Sequence, residues 1–223
     1  MSRPSPVVVP LARNRRLQAI LAAYAVLWVA LAIAPKYRSD WLLENLLVFA
    51  FAGLLIATYR RFAFSNFSYA LMALFLALHA VGAHSTYSET PAGFLLQRWL
   101  GLPRNPYDRV VHFAYGLLLG YPLRELALRR LRANRLWAFF LALCATLAMS
   151  AGYEIVESWV ARIVSPELGT AYLGTQGDEW DAQKDMSLAL CGALAGLCAA
   201  ELYRRREGRE AWALLSPRRL AAG

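Results

Sequence analysis

Charge is what this chain has least of. Of its 223 residues, 17% are Asp, Glu, Lys or Arg, against about 25% in an average soluble domain. Apolar residues make up 58%. A chain so composed has too few charged groups for the surface of a soluble globule. Cysteine is equally scarce. Cys144, Cys191 and Cys198 each fall inside an apolar run, at spacings that fit neither a zinc site nor a disulfide framework, and read as small buried residues. There are three histidines, His79, His84 and His112, and no two stand at the i,i+4 spacing of the helical zinc motif. Acidic residues number 15 against 24 basic ones, for a net charge of +9. The basic residues flank apolar runs rather than forming one patch, which excludes nucleic acid as the partner. No internal repeat is visible.

What the chain does have is long apolar runs. A helix that spans a membrane needs about 20 mostly apolar residues, and six stretches qualify: 17–34, 42–59, 67–84, 108–124, 136–158 and 185–203. The fourth is the weakest, being short and carrying His112 and Pro122. The first resembles a signal peptide, but its apolar stretch exceeds the roughly 7–15 residues of such a core. It is expected to remain as an uncleaved span. Residues 91–100, "PAGFLLQRWL", follow Thr90 as a plausible N-cap with Pro91 at the first helical position. That helix is too short to span and suits the interface, with Phe94, Leu95, Leu96, Trp99 and Leu100 in lipid. Met186, Trp28, Trp41, Trp159 and Trp180 read as packing and interfacial-belt residues. The expected fold is all-α: a polytopic membrane helix bundle of about six transmembrane helices. Residues 1–16 form a basic leading segment, 17–203 the membrane domain and 204–223 a basic tail.

Orientation follows from the Lys and Arg in alternate loops. The leading segment, the loops after spans two and four, and the tail hold 17 of the 24. Both termini are therefore expected in the cytoplasm. On that map four acids are cytoplasmic: Glu125, Glu201, Glu207 and Glu210. The other eleven, and all three histidines, fall at the outer face or the outer end of a span. At 1.5 Å per residue, Glu44, His79 and Glu154 stand about 24, 18 and 27 Å from the inner ends of their spans. Ionisable groups inside a bilayer are costly and usually face the bundle interior.

Helical spacing groups these residues. Asp108 and His112 are i,i+4, and Glu154 and Glu157 are i,i+3. Asp178, Asp181 and Asp185 form one stripe if their helix begins before span six. The stripe continues into Gly192 and Gly196, while Gly116 and Gly120 lie beneath Asp108 and His112. Gly-x-x-x-Gly lets helices approach closely in lipid, so charged and close-packing faces coincide in one outward-opening polar cup. Acids suit a helix start, which accounts for Asp40, Glu44, Asp108, Asp178 and Asp181 taken singly as readily as a site does. Glu154 and Glu157 sit at the C-terminal end of their span, where acids are disfavoured. A proton, a metal, Lys184, Arg109 or Arg162 must stabilise them. Asp108, His112, Glu154, Glu157, Asp181 and Asp185 are the candidate catalytic residues. Lys184, His79, Glu44 and Asp178 are the candidate ligand-binding residues, with Lys184 the expected counter-charge of the cup.

"YDRVVHFAYGLLLGYPLRE", "GYEIVESW" and "GDEWDAQKDMSLALCGALAG" resemble the YjdF-like bacterial inner-membrane proteins, a family without an established activity. That resemblance implies a multi-pass inner-membrane location and lipid as surroundings. A looser resemblance is to VanZ-like proteins, associated with teicoplanin resistance. It implies importance for Asp108, His112, Glu154 or Glu157, Asp181 or Asp185, and Gly192. The second glutamate and the run from Asp178 to Asp185 depart from that pattern.

Three functions fit these residues. One is an enzyme acting on a lipid headgroup or envelope precursor, using acid–base pairs or a divalent metal such as zinc, manganese or magnesium. Another is a proton-coupled transporter, for which the inner halves of the spans supply only Thr146 and Ser150 as a path. The third is a non-catalytic envelope protein that binds a small molecule or lipid in the cup. Reporter fusions test the frame beneath all three: residue 130 is expected in the cytoplasm and residue 170 outside. A cytoplasmic signal at 170 inverts the map.

Overall fold

A computed structural model describes residues 9–215. Arg3 and residues 216–223, counted above among the basic termini, lie outside the described residues. Among the described residues there are eight α-helices: α1 Arg15–Ala32, α2 Arg38–Thr58, α3 Asn66–Ser85, α4 Pro91–Leu100, α5 Tyr107–Arg129, α6 Arg135–Ile163, α7 Pro166–Leu173 and α8 Asp181–Glu207. Five of them, α1, α2, α3, α6 and α8, are long and apolar enough to cross a membrane. The fold is a polytopic membrane helix bundle. Leading caps are written in the sequence: Asn14, Ser65, Asn134 and Ser165 each accept the backbone N–H three residues on. Pro91 and Pro166 begin α4 and α7. Gly101, Gly174 and Gly208 end α4, α7 and α8 in the left-handed conformation.

The expected fourth span is α5, which is not among the five helices apolar enough to cross by composition alone. With 23 residues it is about 34 Å long, sufficient to cross a core of about 30 Å. It tolerates its charges because α3, α6 and α8 surround it. Against α8 the two backbones nearly touch. A Cβ added to Gly116 would run into the Ala189 carbonyl, and one added to Gly192 into that of Phe113. Gly196 meets Leu117 in the same way, whereas a Cβ on Gly120 would make only ordinary van der Waals contact with Ala193 and Leu197. The expected coincidence of glycine and acidic faces on α5 and α8 is present. α1 packs on α3, where Leu17, Tyr69, Met72 and Leu119 form a small apolar core. Elsewhere the large apolar side chains point outward, Ile56, Leu136 and Ile163 among them, as lipid requires. The three cysteines also lie on the outer surface of the bundle. This corrects their reading as buried residues: each sits on a lipid-side face of α6 or α8, where a small apolar thiol is at home.

Three further features bear on the expectations. α4 is present, with Phe94, Leu95, Trp99 and Leu100 exposed as expected, and Leu96 half-buried. α7, a second short helix, was not expected and packs against α6 through Gly169 and Ala161. At the end of the bundle away from Asp108, charge is buried rather than solvated. Arg124 is 1% exposed, donating to Glu210 at 2.6 and 3.1 Å and to Glu201 at 3.4 Å. Glu125 is fully buried. It accepts from the Ser65 amide at 2.8 Å, the Ser65 hydroxyl at 2.7 Å, the Ser68 hydroxyl at 2.5 Å and Arg129. These groups are matched donor to acceptor, the condition under which buried charge is tolerated.

Gly116→Val should lower the thermal midpoint of the detergent-purified protein, at a cost of about 1–3 kcal/mol for overpacking. Gly53→Ala, where an added Cβ meets nothing within 4 Å, should leave it unchanged. Equal melting of the two variants would contradict the close α5–α8 approach.

Candidate functional site

The loop before α5 and the loop before α8 are locked together, and the lock sets the site. Asn105 anchors the first loop. Its side-chain oxygen accepts the Tyr107 amide at 3.0 Å, and its side-chain nitrogen donates to the Thr90 carbonyl at 3.1 Å. Its backbone exchanges two hydrogen bonds with the Gln176 side chain, at 3.1 and 3.0 Å. Arg104 then reaches across, donating through Nη1 to the Thr175 carbonyl at 2.7 Å and to Asp181 at 2.5 Å. Arg109 pairs with Asp178 and lies 3.6 Å from Asp181. Asp108 and His112 on α5 are thereby set against Asp185 on α8.

Those three residues form the centre. One donor atom from each of Asp108, His112 and Asp185 lies within 4.8 Å of the other two. His112 Nε2 is 3.5 Å from Asp108 and 3.7 Å from Glu154. Asp185 is 2% exposed, yet its Oδ1 has no hydrogen-bond partner, and neither has Glu154 Oε1 or the Ser150 hydroxyl one turn earlier in α6. Buried polar atoms are nearly always paired, so the unpaired carboxylate oxygens of Asp185 and Glu154 beside His112 make this cluster the candidate site.

The other candidates divide. Glu157 is buried on the same face of α6. Glu44 and His79 form a second group. His79 Nε2 lies 3.2 Å from the Glu44 carbonyl, which can only accept, so Nε2 carries the proton. In the neutral ring Nδ1 then accepts from the Tyr87 hydroxyl at 2.6 Å. Burial raises the Tyr87 phenol well above its ordinary value, which keeps that donor protonated. Both nitrogens of His79 are thus engaged within the protein. Tyr153 joins the groups, donating to Glu44 at 3.4 Å with its ring 6.2 Å from that of His112. The single cup of the sequence reading is two adjoining polar clusters that meet at Tyr153.

The acidic stripe is shorter than expected. α8 begins at Asp181, and Asp178 stands outside it in a turn, accepting the Trp180 amide at 3.1 Å. Lys184, the Trp180 amide and Arg109 hold the Asp178 carboxyl down to about 2. Lys184 donates to Asp178 at 2.6 and 2.9 Å while half-exposed, so it is not the internal counter-charge. Arg104 and Arg109 take that part against Asp178 and Asp181. Arg104 escaped the sequence reading because arginines near span ends were taken as orientation signals. Its place two residues before the Pro106–Tyr107 start of α5 was the available clue. Tyr87 and Tyr153 carried no pattern that marks them.

The family model described as "Predicted membrane protein (DUF2238)" matches residues 16–206. The chain is similar to the inner membrane protein YjdF of Escherichia coli (strain K12), 43% identical over 178 residues, which cover 79% of this chain and 85% of that one. The VanZ-like resemblance finds no support in these matches. No solved structure matches the chain. This is an inner-membrane protein with several membrane-crossing helices, and the chain belongs to the DUF2238 family of predicted membrane proteins.

Proposed function

We propose that the protein is a membrane-embedded enzyme that acts on a lipid headgroup or envelope precursor from a divalent-metal centre at Asp108, His112 and Asp185. The observation that carries this reading is the convergence of two carboxylates and one imidazole from α5 and α8, beside buried acceptor atoms that have no partner. Donors around one ion at about 2.1 Å lie up to roughly 4 Å apart, so these three need to draw together only slightly. A mixed carboxylate and imidazole set suits zinc or manganese. A metal there would supply Lewis acidity and an activated water. Glu154, beside His112 and unpaired at Oε1, is placed to take or give a proton. Glu157 and Ser150 line its helix face.

With both termini in the cytoplasm, the centre opens toward the outer leaflet, where headgroups and envelope precursors are reached. The enzyme reading is favoured over transport by what lies between the two polar ends. Among the described residues of α5 and α6, Tyr115, Thr146 and Ser150 are the polar side chains between those ends, and the Tyr115 hydroxyl is bound to the Thr146 carbonyl at 3.3 Å. The Arg124 end is closed by paired charges.

Detergent-purified protein dialysed against zinc or manganese should retain about one equivalent by elemental analysis. Asp185→Asn should weaken retention by more than tenfold, and Glu207→Gln, on the exposed far end of α8, should not change it. Glu154→Gln should keep the metal and normal membrane abundance while losing the phenotype of the wild-type gene. Protein that takes up neither metal would rule the centre out.

A further inference from the structure

Asp40 belongs to none of the groups assigned so far. It lies in the first turn of α2 and is 1% exposed. Thr86 donates to its Oδ2 at 2.5 Å, whereas Oδ1 is buried with no partner. The helix start favours the negative charge but leaves that oxygen unsatisfied. Asp40 lines a cavity of about 600 Å³ between the start of α2, the turn at Tyr87–Glu89 and α7. Small-molecule sites span roughly 300–1,000 Å³. Glu89 and Glu167 add two more carboxylates to the wall, Ser39 and Ser88 add hydroxyls, and no Lys, Arg or His is among the described residues that line it.

The chemistry of the occupant follows from charge, spacing and a neighbour. The wall is acidic, so the ligand is cationic. A bare metal ion does not suit it. Among the described residues only Asp108, His112 and Asp185 bring three donors close enough for one ion, whereas Asp40, Glu89 and Glu167 are spread around a cavity. Lys36 shows what the rim holds instead. Its ammonium pairs with Glu89 and lies 5.7 Å from the centre of the Tyr37 ring, within reach of a cation–π contact. The intramolecular pair neutralises Glu89 and leaves Asp40 and Glu167 for a ligand.

We infer that this cavity is a binding site for a primary ammonium group on a small polar ligand, with the free oxygen of Asp40 as its principal acceptor. Glu167 supplies the second carboxylate, and Ser39 and Ser88 receive the polar remainder. A lipid headgroup and a soluble amine share this chemistry. The site stands independently of the metal centre, since it uses none of Asp108, His112 or Asp185.

The test uses the full chain in phosphatidylcholine nanodiscs with a chelator present, so that an empty metal centre does not affect the outcome. Ethanolamine is titrated by calorimetry, and phosphatidylethanolamine is compared with phosphatidylglycerol by native mass spectrometry. Saturable binding of either amine is expected, reduced roughly tenfold by Asp40→Asn through loss of a charge-assisted hydrogen bond. Glu167→Gln, exposed and remote from the core, should weaken it several-fold and decides the matter if Asp40→Asn does not fold. Binding of the lipid alone assigns the source to a headgroup; binding of ethanolamine assigns it to a soluble amine. Equal retention of phosphatidylglycerol, or binding indifferent to both substitutions, overturns the inference.

Discussion

A membrane leaves a helix such as α5 no neutral choice. It carries Asp108, Arg109, His112, Arg124, Glu125 and Arg129, and in hydrocarbon each charge must find a partner or face a polar cavity. The close contact of α5 with α8 meets this demand. Gly116 and Gly192 remove the side chains that would hold the two backbones apart. Everything polar in the centre follows from that approach: Asp185 comes within reach of Asp108 and His112, and Asp181 within reach of Arg104. The remaining helices serve as walls around this pair, with their large apolar side chains turned outward.

The two ends of the bundle resolve buried charge differently. Around Arg124 and Glu125 each charged group is met by hydrogen-bond partners, from Glu201, Glu210, Ser65, Ser68 and Arg129. Around Asp108 the acids outnumber their partners. Asp185, Glu154 and Asp40 each keep one oxygen without a donor. A satisfied network rigidifies, while an unsatisfied one costs stability unless a ligand completes it. That contrast sets an end whose polar groups are closed on one another against an end whose acceptors are left open.

The five apolar spans were legible because lipid imposes a single demand on their composition. α4 was legible from Thr90, Pro91 and its apolar side chains. The α5–α8 face was legible because glycines and acids repeat at helical spacing. Other features lack such a signal. α7 has only eight residues, too few for a periodic pattern. Asp178 fits the helical stripe by count, but its side chain captures the Trp180 amide and forms a turn in place of a first helical turn. Arg104 and Arg124 were concealed by the counting that gave the topology: a charge near a span end scores the same whether it meets solvent or a buried carboxylate. The separation of His79 from His112 rests on its bonds to Glu44 and Tyr87, and no one-dimensional pattern encodes those.

The partner of Arg124 lies late in the chain. Glu210 stands 86 residues beyond it, past the last long helix, in a segment that crosses back over the bundle to let the Trp212 amide donate to Tyr121 at 2.8 Å. The order of synthesis therefore differs from the order of closure. α5 emerges with a cation that the finished protein buries, and two further long helices must follow before its counter-charge exists. The pair between Arg124 and Glu210 can close only after residue 210 has been made.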